Sequence, residues 1–364
     1  DAGCTPLLGA VLQLRGLGEL DAAEDFLFGG DETLYDPLEM EDILPAIRRL
    51  TQAMEKKEHV AVYGDYDVDG ITSACLLSGY LRGRGLPCEL YIPDRLEEGY
   101  GLNCRAIDCL AALGVSLIVT VDCGVTNGAE TEYANSLGLD MIITDHHECQ
   151  DRLPDAVAVV DPKRPDCRYP GKGLAGVGVA FKLVCALEGE TSGVLERFGD
   201  LVALGTVADV MPVTGENRYM IRRGLEQISR GRCRVGLTAL MEETGAADKR
   251  LSAATIGYTL APRINAAGRL GDTAAAVELL ETTSRRRAAV LAAELCRKNR
   301  ERQELELRIW QEAVALIPPE PEESRSPLVL ASEGWHPGVI GIVASRLAEA
   351  FSRPVVMICL DGER

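Results

Sequence analysis

Four short apolar runs in this chain each end on an aspartate, and no other feature limits the possible folds as tightly. They read His59-Val60-Ala61-Val62-Tyr63-Gly64-Asp65, Leu117-Ile118-Val119-Thr120-Val121-Asp122, Met141-Ile142-Ile143-Thr144-Asp145 and Val157-Ala158-Val159-Val160-Asp161. Short β-branched runs separated by helical segments read as buried parallel strands. In an open parallel sheet the strand C-termini share one edge, and ligands bind there. The chain therefore brings several carboxylates to one rim, together with His146 and His147, which follow Asp145. Crowded carboxylates repel one another unless cations lie among them. A metal site, expected to be binuclear, is the economical reading.

The first run continues as Asp65-Tyr66-Asp67-Val68-Asp69-Gly70. Alternate residues of an extended segment point the same way, so this spacing can aim three carboxylates at one place. The spacing leaves open which of the three bind an ion directly. Asp122 ends the next strand, just before Cys123-Gly124, where it can bridge two ions. The chain has 4 histidines, and two of them are adjacent at a strand end. Neutral imidazole is a common transition-metal ligand. Neighbouring side chains on an extended stretch diverge, so one histidine can ligate while the other faces a substrate. Asp145 can then orient a ligand from behind. Asp209 closes the apolar run 201–208 and offers a further ligand. Asp161 is followed by Pro162 and reads as a turn residue.

At 364 residues and 46% hydrophobic, the chain has room for two or more domains. Its formal charge of -18 excludes a generally basic protein that coats nucleic acid. It leaves room for a nucleic-acid enzyme with a local basic groove. The 12 cysteines form no Cys-x-x-Cys pair. Cys75, Cys185 and Cys359 sit in apolar runs, as small core residues do. Thiols used in this way point to reducing cytoplasm. The sequence contains no signal peptide and no apolar stretch of membrane-spanning length.

Residues 1–55 read as a helical N-terminal extension, with amphipathic segments near 7–17 and 40–54 joined by an acidic loop. Residues 56–214 read as an α/β domain with a doubly wound, mostly parallel sheet. Its helices are expected near 71–81, 104–113, 128–137 and 179–187, with a further strand at 89–92. Asn103 can cap the second of these helices and Gly114 can end it. Residues 215–283 read as helical, with segments near 218–228, 237–244, 253–259 and 274–280. Residues 284–318 hold a long connecting helix, which Pro318-Pro319-Glu320-Pro321 stops. A second α/β unit begins within 325–364, with a strand at 328–331 and a helix near 340–350. Both ends read as cut, since Asp1 is not a start methionine and the chain stops just after a strand-like run.

Several motifs together resemble the four motifs of the DHH phosphoesterase superfamily. They are Val62-Tyr63-Gly64-Asp65-Tyr66-Asp67-Val68-Asp69-Gly70, Val121-Asp122-Cys123-Gly124, Asp145-His146-His147 and Ala208-Asp209-Val210-Met211-Pro212. Within that superfamily the chain is similar to the RecJ family of single-strand-specific 5′→3′ DNA exonucleases. Tyr91-Ile92-Pro93-Asp94-Arg95, Glu98-Gly99-Tyr100-Gly101, Gly173-Leu174-Ala175-Gly176-Val177-Gly178 and Ala261-Pro262-Arg263-Ile264-Asn265-Ala266-Ala267-Gly268-Arg269 carry this closer likeness, as does Gly334-Trp335-His336-Pro337-Gly338. It runs in order from about residue 5 to the C-terminus. The chain departs in stopping early in the DHH-associated domain, without the OB-fold of RecJ-like proteins.

The resemblance implies that Asp65, Asp67, Asp69, Asp122, His146 and Asp209 bind two divalent ions, Mn2+ or Mg2+, with Asp122 bridging. It implies that His147 faces the scissile phosphate, with Asp145 as a catalytic partner. Arg95, Tyr100, Arg263, Asn265, Arg269 and His336 become candidates for gripping nucleic acid. Arginine forks suit phosphate, and a tyrosine ring can stack on any base. Arg285-Arg286-Arg287 reads instead as a solvated helix face. The implied activity is release of 5′-mononucleotides from single-stranded DNA in repair and recombination. A single-strand-binding protein and a helicase are candidate partners, and no membrane is involved. Two alternatives stand beside it: a DHH phosphodiesterase acting on short RNA or cyclic dinucleotides, and a non-catalytic DHH-fold replication scaffold.

Overall fold

The computed structural model describes residues 5–95, 97–99, 101–317 and 326–360. The four aspartate-ended runs are all strands. With one more they form a five-stranded parallel sheet: β1 (Val60–Gly64), β2 (Cys88–Tyr91), β3 (Leu117–Val121), β4 (Asp140–Thr144) and β5 (Ala158–Val160). Their spatial order is β2-β1-β3-β4-β5, so the winding reverses between β1 and β3. Alternate residues face opposite layers. Val60, Val62, Val119, Val121 and Ile142 join one buried cluster, while Ala61, Tyr63, Ile118 and Met141 join another.

Helices α1 (Pro6–Leu14), α2 (Leu20–Phe28) and α3 (Ile43–Lys56) precede the sheet. The stretch expected to be an acidic loop thus contains a helix, α2. Ile43, Ala46, Leu50 and Ala53 of α3 bury into the first cluster. Helix α4 (Val68–Gly83) joins β1 to β2 on that face. Helices α5 (Cys104–Ala112) and α6 (Gly128–Ser136) cross over on the other face, which makes the sheet doubly wound. Asn103 caps α5 through the amide of Ala106, at 2.8 Å. The link from β4 to β5 holds no helix, because Gln150-Asp151-Arg152-Leu153-Pro154 is polar and broken by proline. Helix α7 (Gly176–Glu188) follows the last strand and is not a crossover.

The run 201–208 is the buried end of a 17-residue helix, α8 (Ser192–Ala208), and Asp209 is its C-cap. Helix α8 is enclosed by α4, α7 and α9 (Gly215–Ser229), so its apolar residues occupy every side. A helix buried all round has no amphipathic period to read. Then come α10 (Val235–Glu243) and the short α11 (Ala253–Thr255). A π-helical turn at Ile256–Leu260 leads from α11 straight into α12 (Ala261–Arg269). The Gly- and Pro-bearing motif 261–269 is therefore helical. Pro262 directly follows the π-helical turn, a local break in the i→i−4 ladder of the kind that accommodates a proline inside a continuous helix.

After α13 (Ala274–Glu281), the 32-residue α14 (Arg285–Leu316) begins at a Ser284 cap. Its first half buries Leu291, Ala292 and Leu295 in the main core. Its second half buries Ile309 and Ala313 against Trp335, Val339 and Val343. One helix thus holds both cores. The second core lies beneath a two-stranded parallel sheet, β6 (Leu328–Glu333) and β7 (Val355–Leu360), joined by α15 (Pro337–Phe351). A Cβ on Gly338 would lie 2.1 Å from the carbonyl oxygen of Arg269, so α15 begins directly against the end of α12. Among the described residues no helix is long and apolar enough to cross a membrane.

Candidate metal centre

Asp65 follows β1 and Asp122 follows β3, so the two flank the point where the winding reverses. An open α/β sheet binds its ligand at that crevice. Asp145, His146 and His147 follow β4. Asp67 caps α4 by accepting from the Gly70 amide at 3.0 Å, and Asp209 arrives from α8. Ligand atoms of Asp65, Asp67 and Asp122 converge within 4.8 Å of one another, and so do those of Asp69, His146 and Asp209. His146 Nε2 lies 3.0 Å from Asp122 Oδ1, 3.6 Å from Asp209 Oδ2 and 3.8 Å from Asp69 Oδ2. Asp122 and His146 therefore join two groups of ligands into one centre.

Buried polar atoms normally find partners. Here Asp65 Oδ1, Asp122 Oδ1 and both ring nitrogens of His146 are buried without a hydrogen bond. Carboxylate oxygen with a single imidazole suits Mn2+ or Mg2+, and the imidazole tilts the set toward Mn2+. Two of the predicted site residues, the ligand Asp69 and the orienting Asp145, differ from the rest. Both oxygens of Asp69 accept from the start of α7, at 2.6 Å from Gly176 N and 2.9 Å from Val177 N. Asp69 thus ties α7 to the centre while keeping one edge toward His146. These two amides, inside the glycine-rich stretch 173–178, are occupied by Asp69. Asp145 accepts from the amides of Val125, His146 and His147, and its Oδ1 lies 2.7 Å from His147 Nδ1. It orients both histidines and has little capacity left for an ion.

The backbone is strained where the acids sit. Asp122 has φ 60 and Val210, next to Asp209, has φ 58. Left-handed geometry is uncommon for aspartate and a true outlier for a β-branched residue. Gly176 permits the closest approach: a Cβ there would lie 2.5 Å from the Cβ of Asp122.

Burial, and then the neighbouring Asp67, push the Asp65 carboxyl up to about 7. The same two causes raise Asp209 to about 6. Burial and other carboxylates raise Asp69 and Asp122 well above the usual range. Burial, and then repulsion from His147, lower His146 to about 4, so it stays neutral at physiological pH and can ligate. His147 is raised by its bond to Asp145. For Asp145, burial pushes upward, but the His147 bond and the backbone amides prevail and hold it low.

Beside this centre stands a wall of arginines. Arg95 lies over the ring of Tyr66, 4.9 Å from its centroid. Arg269, half-buried on α12, is pushed down by burial and then by Arg95 and Arg302. Burial lowers Arg302 too, with Arg263 adding to the effect while Glu306 opposes it. His336 is lowered by burial and also feels Arg95. The predicted residues Arg95, Arg263, Arg269 and His336 therefore gather on one side. Asn265 does a different job, since its Oδ1 accepts from the amide of Val68 at 3.1 Å and braces the aspartate loop. Tyr100 lies outside the described residues. Arg287 pairs with Glu278 on the surface, as a solvated face would. Sequence reasoning missed Arg302, whose pairing with Glu306 four residues on resembles any exposed helix charge.

The model of the DHH family, N-terminal domain, matches residues 59–206. The single-stranded-DNA-specific exonuclease RecJ of Bacillus subtilis (strain 168) is 42% identical over 360 residues, covering 99% of this chain and 45% of that protein. A crystal structure of exonuclease RecJ bound to manganese superposes with a TM-score of 0.79 at 37% identity, covering 90% of this chain and 82% of that one. RecJ of Thermus thermophilus in complex with Mn2+ gives 0.81 at 34%, covering 96% of this chain and 49% of that one. The chain thus spans about half the length of the first of these relatives. With its acids at the strand ends, its histidine pair and this likeness over nearly its whole length, the chain belongs to the RecJ family of the DHH superfamily.

Proposed function

We propose that this chain is the nuclease part of a metal-dependent exonuclease that degrades single-stranded DNA from the 5′ end and releases 5′-mononucleotides. One observation carries the reading: a preformed cluster of unsatisfied acids and imidazole lies directly beside a half-buried wall of arginines. The names of the relatives support the substrate, and the manganese-bound relatives support the ion. Asp65, Asp67, Asp122, His146 and Asp209, with Asp69 at the edge, hold two divalent ions, Mn2+ or Mg2+. Such ions supply Lewis acidity that activates water and offsets charge on the attacking and leaving oxygens.

The residues of the chain do the rest. Asp145 fixes the tautomer and direction of His147, which can give a proton to the departing oxygen. Arg263, Arg269 and Arg302 grip phosphate and offset transition-state charge. Arg95, steadied by Tyr66, holds a phosphate toward the 5′ end, and Tyr100 offers a ring to a base. Asn265 keeps the aspartate loop in register. The setting is DNA repair and recombination in the cytoplasm, with a single-strand-binding protein and a helicase as partners. The acids that a non-catalytic scaffold would lose are all present, which counts against that alternative.

The test uses purified protein with Mn2+ on 5′- and 3′-labelled single- and double-stranded DNA, with short RNA and a cyclic dinucleotide alongside. The expected result is mononucleotide release from the 5′ end of single strands alone. Preferential cleavage of the short RNA or the cyclic dinucleotide would overturn the proposal.

A further inference from the structure

Arginines gather a second time, away from the metal centre. An open cleft of about 760 Å3 is lined by Arg82, Arg197, Arg232 and Arg234, with Asp200 and Glu281 as its only acids among the described residues. Four guanidiniums thus face two carboxylates in a chain whose formal charge is -18. The pairing is uneven. Arg82 binds Glu281 at 2.7 Å, and Arg234 pairs with Asp200. Arg197 stacks on Phe198, 4.8 Å from its centroid, and gives a hydrogen bond to the Gly79 carbonyl, but meets no carboxylate among the described residues. Arg232 is exposed, and among the described residues its guanidinium has no ion pair or hydrogen bond.

The cleft has a built floor. Asp200 is buried and also accepts from the backbone amide of Arg234, at 2.9 Å, so the loop carrying Arg232 and Arg234 is pinned to α8. Phe198 is buried between two guanidiniums, with Arg234 5.6 Å from its centroid. The guanidiniums are therefore presented by a fixed surface. Helices α4 and α8 run from this cleft to the metal centre, carrying Arg82 and Arg197 at one end and Asp69 and Asp209 at the other. At 1.5 Å per residue the two sites lie roughly 15–20 Å apart.

We infer that this cleft is a separate binding site for phosphate groups, of a size to take a nucleotide or a short stretch of strand. Arginine forks with spare donors match phosphate oxygens. The volume falls within the range of small-molecule sites. The phosphate can come from a free nucleotide or from a nucleic-acid strand passing over this face, and the chemistry of recognition is the same.

The test works in EDTA, where the acid centre holds no ion and repels anions, so it stands apart from hydrolysis. The whole chain is titrated with deoxythymidine 5′-triphosphate and with a short oligothymidylate, by calorimetry. The variants are Arg232→Gln, which disturbs no contact, and Arg197→Gln/Arg232→Gln. Arg286→Gln, on the exposed face of α14, serves as a control. The double variant should lose on the order of tenfold in affinity for the nucleotide, while Arg286→Gln leaves that affinity unchanged. Loss for the nucleotide identifies a small-ligand site. Loss for the oligonucleotide alone identifies a strand track. Unchanged affinity for both probes in the double variant, or no saturable binding by the parent chain, would overturn the inference.

Discussion

The acid rim and the arginine wall are built in opposite ways, although they face one another. The rim is written mostly locally: every acid but Asp209, the C-cap of α8, stands one or a few residues beyond a strand, and the sheet brings the strand ends together. The wall is assembled from α12, α14, α15 and the loop after β2, whose residues lie far apart in sequence. In the rim Asp65, Asp69, Asp122, Asp145 and His146 are buried, with oxygens and ring nitrogens that lack partners, while Asp67, His147 and Asp209 are half-buried. The wall is half-buried, and in it Arg269 and Arg302 are lowered by burial and by neighbouring guanidiniums. Each is a cluster of like charge that the fold alone does not neutralise. On the proposed reading, divalent cations would relieve the first and phosphates the second, so a phosphodiester bound to metal would satisfy both. The two regions touch at few points, chiefly where Asn265 accepts from Val68 and where Gly268 allows α12 to approach the carbonyl of Tyr66.

If the rim alone supplies the chemistry, removing its central charge should have the largest effect. Asp122→Asn keeps the shape and tolerates the left-handed backbone at this position. Metal-dependent hydrolysis should fall on the order of a thousandfold. In EDTA the same variant should melt at a higher temperature than the parent, because one crowded, buried charge has gone. Activity assays and thermal melts together test the point. Near-parental turnover would remove Asp122 from the centre.

The wall should fail more gently. Arg269→Gln should weaken binding of single strands by roughly tenfold and make the logarithmic salt slope shallower by about one. Stabilisation by Mn2+ should remain at the parental level. If Arg269→Gln also removed the effect of Mn2+, the two regions would be one unit and not two.

The same contrast explains what could be read from the sequence. Asp65, Asp122, Asp145 and the histidine pair were legible because strand and ligand are adjacent in the chain. Asp209 was found as the end of an apolar run, although that run is a helix enclosed on all sides. The two amides that hold Asp69 come from Gly176 and Val177, more than a hundred residues away, and no local pattern announces them. The helical character of 261–269 was hidden by Pro262 and Gly268. Both have positional reasons: a proline directly after a π-helical turn, and a glycine where a Cβ would lie 2.4 Å from the Tyr66 carbonyl oxygen. Arg302 looks like one half of a routine surface pair until α12 packs beside it.

The smallest expected effect concerns protons, and it separates rim from wall by sign. Asp65 at about 7 and Asp209 at about 6 lie above an unfolded value of 3.8. A carboxyl raised on folding contributes stability that is fully present below its unfolded pKa and is lost as pH rises through its folded one. Asp69, Asp122 and His147 are also raised, and they act in the same direction. His146, lowered from 6.5 to about 4, acts in the opposite direction: between those values the unfolded imidazole holds a proton that the folded one lacks, so its contribution grows as pH rises toward 6.5 and offsets part of the carboxyl slope. Asp145 is lowered, so its contribution disappears only in acid. The metal-free protein should therefore lose stability between about pH 5 and pH 8. Mn2+ binds the deprotonated acids, so its stabilising effect should grow over the same interval as fewer protons must leave. Melting curves with Mn2+ and with EDTA across that range should diverge by a few degrees toward high pH. The arginines stay charged throughout and cannot produce this divergence. A Mn2+ shift independent of pH would mean that the ions bind elsewhere than among these acids.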